Sequence, residues 1–296
     1  MALRYLTAGE SHGPALTAIL EGMPAGLPVT EGQIALDLAR RQCGKGSGER
    51  MAIEKDAAQI LSGVMDGVTT GAPIALLIPN RDHANWKGRE IPAYTTPRPG
   101  HADLAATVKY GYDDIRPALE RASARETAMR VAVGALCRAL LDNFGITVGG
   151  YVSAIGEHTA RLDGLAFAER VSRARASAVQ CPDPVADAAM SDAIAKAHDA
   201  GETLGGIMEV VADGIPVGLG SHVNADRRLD ARLIQALGSV PAIKGVAFGD
   251  AFASARQTGT LTNDAIRPDA EGNLLRGSNR CGGIEGGISN GAPIWL

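Results

Sequence analysis

Apolar residues in this chain come in two kinds of run, and the two kinds alternate. ALTAIL (15–20) and GIMEVV (206–211) are short and unbroken, the length of strands, whereas TEGQIALDLARRQ (30–42) and DRRLDARLIQAL (226–237) space their apolar positions for a helix. A third helix is predicted within RPALERASARETAMRVAVGALCRALLDNFG (116–145). There Ser123 and Glu126 have the form of a capping box, and Ala128, Val131, Ala135, Leu136 and Leu140 follow at helical spacing before a stop at Gly145.

The pattern also repeats. GESHGPALTAILEGMPAGLP (9–28) and GETLGGIMEVVADGIPVGLG (201–220) share Gly, Glu, a hydroxyl residue, Gly, and then G-x-P-x-G-L. LDLAR (36–40) is echoed by LDARL (229–233), and GVMDGVTTGAPIAL (63–76) by GIEGGISNGAPIWL (283–296). Three echoes in one order indicate an internal duplication. Each half is predicted to run strand, turn, strand, helix, strand, glycine-rich turn, strand. The expected organisation is a single domain over 1–296 made of two repeated halves, about 1–150 and 195–296. The second half is expected to be incomplete, since the chain reaches Leu296 inside the matching strand.

Composition narrows the class. Over 296 residues, 45% apolar and 21% charged residues describe a globular chain able to bury a substantial core. The 37 glycines imply many tight turns. A net charge of -4 argues against a general nucleic-acid binder, which needs a broad phosphate-neutralising surface. No run reaches membrane-span length and no secretory signal precedes Arg4, so a cytoplasmic location is expected. Cys43, Cys137, Cys181 and Cys281 lie far apart without zinc-ligand spacing, so no metal is expected and free thiols are.

Five stretches carry candidate chemistry. In GESHG (9–13) the glycines suffice to make a turn, and the second copy makes it with Leu204 where the first has His12; the imidazole is surplus to the fold. RRQCGKGSGER (40–50) puts Arg40, Arg41, Lys45 and Arg50 around a glycine-rich loop, suited to phosphate or carboxylate but lacking P-loop spacing. TPRPGHAD (96–103) stiffens a loop with two prolines and delivers Arg98 and His101. Arg121 and Arg125 flank the predicted helix start, where the dipole favours an anion and not a cation. SNRCGGIEGGISNGAP (278–293) has the glycine density of backbone pressed against a ligand or another chain. Together these describe an enzyme acting on a small, multiply charged, phosphorylated anion.

GESHG, RPGHAD, ERASARETAMRVAVGA and NRCGGIEGGISNG, in that order, resemble chorismate synthases, and the likeness runs from about Arg4 to Leu296. The resemblance implies an α+β fold, a β-α-β sandwich with internal pseudo-two-fold duplication, assembled as a homotetramer. It implies a lyase of the shikimate pathway, in aromatic amino acid biosynthesis, eliminating phosphate from 5-enolpyruvylshikimate 3-phosphate with reduced FMN. By the same resemblance Ser11, His12 and His101 are catalytic, and Arg41, Arg50, Arg98 and Arg125 hold the substrate's anionic groups. Arg121, Ala122, Ser123, Pro241, Ala242 and Gly286 match flavin-contacting positions. Arg41 and Ser47 match positions tied to NADPH, with Ser47 standing where the family usually has arginine. No separate reductase segment is visible, so an external flavin reductant is the expected partner. The family continues beyond the position of Leu296 with a Lys-Pro segment and an R-x-D motif. The alternative expectation is therefore a truncated, catalytically weak member that binds flavin or substrate. A generic phosphate-binding module is disfavoured by the joint presence of His12, His101 and the arginine set.

Overall fold

The computed structural model describes residues 3–44 and 53–296, divided into one unit running to Leu140 and a second from Leu141 to Leu296. Lys45, Ser47 and Arg50 lie outside the described residues.

In the first unit, β1 (Arg4–Ala8), β2 (Ala15–Glu21), β3 (Gln59–Ser62), the hairpin of β4 (Val64–Met65) and β5 (Val68–Thr69), and β6 (Ile74–Pro79) follow one another, interrupted by helix α1 (Glu31–Gln42). The antiparallel sheet has the order β1-β2-β6-β3. Strand alternation sends Leu16, Ala18 and Leu20 of β2 and Ile74, Leu76 and Ile78 of β6 to one buried face. Two helices cover that face. α1 opens with a closed capping box between Thr30 and Gln33 and buries Ile34 and Leu38, one turn apart. After α2 (His83–Trp86), α3 (Asp103–Tyr110) and α4 (Arg116–Arg121), helix α5 (Thr127–Asp142) adds Ala128, Met129, Ala132, Val133, Ala135 and Leu136 to the same core.

The second unit pairs β7 (Thr147–Ile155), β8 (His158–Thr159), β9 (Gly206–Asp213) and, late in the chain, β14 (Ile294–Trp295) in the order β14-β9-β7-β8. Helices α6 (Phe167–Arg175) and α7 (Pro184–Asp199) fall between β8 and β9, and α8 (Leu229–Gly238) follows β9. Tyr151, Ala174 and Val211 form one core cluster there, and Val179, Cys181, Ala186 and Met190 belong to another. The four cysteines are unpaired, and no helix among the described residues is long and apolar enough to cross a membrane.

The G-x-P-x-G-L echo and the 63–76/283–296 echo make the same pair of hydrogen bonds twice. Thr69 Oγ1 donates to Pro24 O at 2.6 Å and accepts from the Leu27 amide at 2.9 Å. Ser289 Oγ donates to Pro216 O at 2.6 Å and accepts from the Leu219 amide at 2.8 Å. Each hydroxyl ends a two-residue hairpin strand, β5 in one case and β13 (Ile288–Ser289), paired with β12 (Ile284–Glu285), in the other. Gly63 and Gly283 carry φ of +78° and +80°, and a Cβ there would stand 2.6 Å from Pro73 O and 2.5 Å from Pro293 O.

Gly67 shares the φ of +78° but has nothing within 4 Å of an added Cβ. Gly67→Ala is therefore expected to cost about 1–2 kcal/mol, the left-handed penalty alone. Gly63→Ala must also displace backbone, and denaturant titration should show a clearly larger loss.

Candidate active site

The turn between β1 and β2 holds the GESHG stretch. Gly9 takes φ +111°, and any Cβ would meet Ala15 O at 2.6 Å, so the turn admits only glycine there. Asn80, buried beyond the end of β6, ties the turn down by donating Nδ2 to Glu10 O and Gly13 O at 3.1 and 2.9 Å. Ser11 is buried; its amide donates to Glu120 O at 3.2 Å and its hydroxyl lies 3.1 Å from that of Ser123.

His12 is gripped from several sides. Glu120 Oε2 accepts from the His12 amide and Oε1 meets its Nδ1, both at 2.6 Å. The Trp86 ring lies against the imidazole, centroids 4.1 Å apart, and Asp82 Oδ2 is 3.9 Å from Nε2. Asp82 is itself held by Trp86 Nε1 and Asn85 Nδ2, while His83 Nδ1 donates to His12 O at 2.9 Å. Beside this group opens a cleft of about 800 Å³ lined by His12, Trp86, Lys87, Tyr112, Arg116 and Arg121 among others. That volume lies in the ~300–1,000 Å³ range of small-molecule sites.

Two expectations for the 116–145 segment are corrected. The segment breaks at Ala122 and Ser123 into two helices, so Arg121 ends α4 instead of opening α5. At a helix C-terminus its charge is welcome, and it donates Nη2 to Thr7 O and Thr7 Oγ1 at 2.9 and 2.8 Å. Ser123 does cap, accepting from the Arg125 amide at 3.3 Å, at the start of a short 3₁₀ turn, Ala124–Glu126. Glu126 does not complete the box: it accepts from Thr7 Oγ1 at 3.0 Å and pairs with Arg130 one turn on.

Arg125 is 3% exposed. Its Nη1 bonds Asp56 Oδ2 at 2.8 Å, its Nε bonds Asn80 Oδ1 at 3.0 Å, and Nη2 stands 3.5 Å from Glu54 Oε2. That last distance is a charge contact, and Nη2 has no hydrogen-bond partner among the described residues. Arg41, in the last turn of α1, reaches the same carboxylate, with Nη1 3.5 Å from Asp56 Oδ2, and also donates to Thr127 Oγ1 and Ala124 O.

Arg98 and His101 meet on Asp103. Arg98 donates Nε to Asp103 Oδ2 at 2.9 Å, and His101 Nδ1 donates to Oδ1 at 2.8 Å. Hydrogen bonds from Arg98 outweigh burial and hold the Asp103 carboxyl well below the usual carboxylate range. A carboxyl depressed in the folded state stabilises fully above its unfolded value, near ~3.9, and that contribution fades as pH falls below it. Asp103→Asn should thus lower the melting temperature at neutral pH, with the gap to the parent closing on acidification below about pH 4. A constant gap across that range would contradict the pairing.

The remaining candidates lie in the second unit. Pro241 and Ala242 follow α8, with Ala242 at φ +69°, strained for a side chain other than glycine, and Gly286 sits in the β12–β13 turn. Asp264, Cys281 and Glu285 bring ligand-type atoms within 4.8 Å of one another. The cation there is the Arg276 guanidinium, bonded to both Glu285 oxygens at 2.8 and 2.6 Å. Burial pushes the Cys281 thiol up to about 11, away from the thiolate. A smaller cleft of about 450 Å³ is lined by His158, Arg161, Arg173 and Asp183. Asp183 caps α7 there, accepting from the Val185 and Ala186 amides, and accepts from the Arg161 amide as well.

Glu120, Asn80, Asp56, Glu54, Asp82 and Trp86 were not singled out in the sequence. Glu120 was within reach, since it begins the same ERASARET stretch that contains Ser123 and Arg125.

An α+β chain whose cleft is walled by an oriented histidine, aromatic rings and side chains of both charges is an enzyme with a small-molecule site. The chorismate synthase family model matches residues 3–296. The chorismate synthase of Desulforudis audaxviator (strain MP104C) is 52% identical over 301 residues, spanning 99% of this chain and 77% of the relative. That of Chlorobaculum tepidum is 51% identical over 311 residues, spanning 99% and 78%. A crystal structure of chorismate synthase superposes with a TM-score of 0.86 at 44% identity, covering all of this chain and 82% of that one. The chain belongs to the chorismate synthase family, and by that membership is a carbon–oxygen lyase of aromatic amino acid biosynthesis.

Proposed function

We propose that this chain eliminates phosphate from 5-enolpyruvylshikimate 3-phosphate by 1,4-anti elimination to give chorismate, with reduced FMN bound beside His12. The observation that carries the reading is the His12 imidazole, clamped by Glu120 at 2.6 Å on the wall of a cleft of about 800 Å³. Trp86 and Tyr112 offer aromatic faces to a flat ligand, and Lys87 and Arg121 offer positive charge to its anionic groups, while Arg116 is paired with Asp114 on the same wall and Glu10 and Glu120 also line it. The buried Arg125 Nη2 is an orphaned donor, and an oxygen of a carboxylate or phosphate would satisfy it.

Bound reduced FMN supplies an electron-rich partner to the substrate with no net redox change. Arg121, Ala122 and Ser123 would hold it on the first unit. Arg41, Arg50, Arg98 and Arg125 bind and orient the substrate's carboxylates and phosphate. His12 holds a proton at the flavin side and Ser11 orders the turn that presents it. His101, whose Nδ1 donates to Asp103 and whose Nε2 lies 3.3 Å from Arg98 Nη2, acts beside the departing phosphate together with Arg98. NADPH serves through an external reductant, the protein works as a homotetramer, and the location is cytoplasmic.

The test is an anaerobic assay with photoreduced FMN and 5-enolpyruvylshikimate 3-phosphate, following chorismate absorbance and released phosphate. Equal amounts of both products are expected with reduced FMN and none with oxidised FMN. Phosphate release independent of flavin reduction would defeat the reading.

A further inference from the structure

We infer that Glu120 is the positioning residue that sets which nitrogen of His12 carries the mobile proton, fixing the Nδ1–H tautomer so that proton exchange takes place at Nε2. The exchange itself rests on the function proposed above; the tautomer does not.

The geometry leaves little choice. One carboxylate receives the His12 amide on Oε2 and meets Nδ1 with Oε1, both at 2.6 Å. An ionised carboxylate only accepts hydrogen bonds, so Nδ1 must donate. The Glu120 backbone carbonyl also receives the Ser11 amide at 3.2 Å, so side chain and main chain of one residue fix two successive residues of the turn. The ring cannot rotate away, because Trp86 lies against it at 4.1 Å and Asp82 Oδ2 stands 3.9 Å from Nε2. The other charged or titratable groups around it are His83, bonded to the His12 carbonyl, and Glu10, Lys87, Tyr112, Asp114, Arg116 and Arg121 along the cleft, with Asp114 paired to Arg116. Asp103 does the same for His101, meeting its Nδ1 at 2.8 Å. A carboxylate on Nδ1 defines the partner nitrogen, and losing the correct tautomer in a comparable dyad costs about 10⁴ in turnover.

Glutamine discriminates sharply at this position. It is isosteric, but its amide has one acceptor and one donor where the carboxylate has two acceptors. With its oxygen kept on the His12 amide, its NH₂ faces Nδ1, and Nδ1 must become the acceptor. Glu120→Gln should therefore invert the tautomer to Nε2–H with little change in shape. Glu120→Ala removes both bonds and should leave a mixture.

The experiment is ¹⁵N NMR of histidine-labelled protein, without flavin or substrate, at a pH where His12 is neutral, with His12→Gln identifying the signal. The ring-nitrogen shifts should report Nδ1–H in the parent and Nε2–H in Glu120→Gln, with amide spectra of both folded. In the anaerobic assay Glu120→Gln should lose turnover by on the order of 10²-fold or more, with KM for the substrate changed less than about threefold. A parent that is Nε2–H, or a Glu120→Gln variant that stays Nδ1–H, would overturn the inference. Turnover and KM unchanged in a tautomer-inverted variant would overturn the claim that exchange takes place at Nε2. A parent inactive towards the substrate but showing the tautomer pair would count against the proposed function alone.

Discussion

Replacing His12 by alanine is expected to lower turnover by on the order of 10²-fold or more while leaving the fold in place. The stretch that contains Leu204 joins α7 to β9 and does not repeat this strand-to-strand turn, contrary to the sequence expectation, but the imidazole is still not what makes the chain reverse direction. Gly9 at φ +111° and the two bonds from Asn80 do that. Truncation also leaves Glu120 with a partner, because its Oε2 still receives the residue-12 amide at 2.6 Å. His101→Ala should behave alike, since Asp103 keeps the Arg98 bonds at 2.9 and 3.2 Å. Steady-state rates under anaerobic conditions, paired with thermal melts of the same samples, check both variants. Near-parental rates in both would remove the two histidines from the chemistry.

Arg125→Ala is expected to act on the fold as strongly as on the substrate. The guanidinium is buried against two carboxylates that are themselves buried, Asp56 with a fully covered side chain and Glu54 nearly so. Removing one member of such a group strands the others, at about 3–5 kcal/mol. Arg41 stands 3.5 Å from Asp56 and offsets part of that, so the lower end of the range is expected. Arg98 offers a partial contrast: its side chain is half exposed, and Arg98→Ala should weaken substrate binding and also cost stability, but less than Arg125→Ala, because Asp103 keeps its bond to His101. Urea titrations of both variants beside substrate titrations separate the two roles. Equal stability of Arg125→Ala and the parent would contradict the buried network.

Strands, helices and the duplicated hairpin were legible because they are written in local spacing. ALTAIL and GIMEVV became β2 and β9, and the paired echoes at 63–76 and 283–296 became hairpins closed by Thr69 and Ser289. The break at Ala122–Ser123 was hidden because apolar spacing runs on through it, and that misplaced Arg121 at a helix start. Glu126 looked like half of a capping box because its real partner, Thr7, is 119 positions away. Glu120 was not picked out for the same reason, since only the folded chain brings it to His12. Residue types with local meaning announced themselves; pairings across the chain did not.

Flavin and substrate are expected to meet in the cleft beside His12. A crystal structure of the protein grown with FMN and 5-enolpyruvylshikimate 3-phosphate tests it most directly. Flavin density is expected in the cleft walled by His12, Trp86 and Arg121, with substrate density beside it. Flavin density in the cleft of the second unit, against His158 and Arg161, with the His12 cleft holding only water, would contradict it.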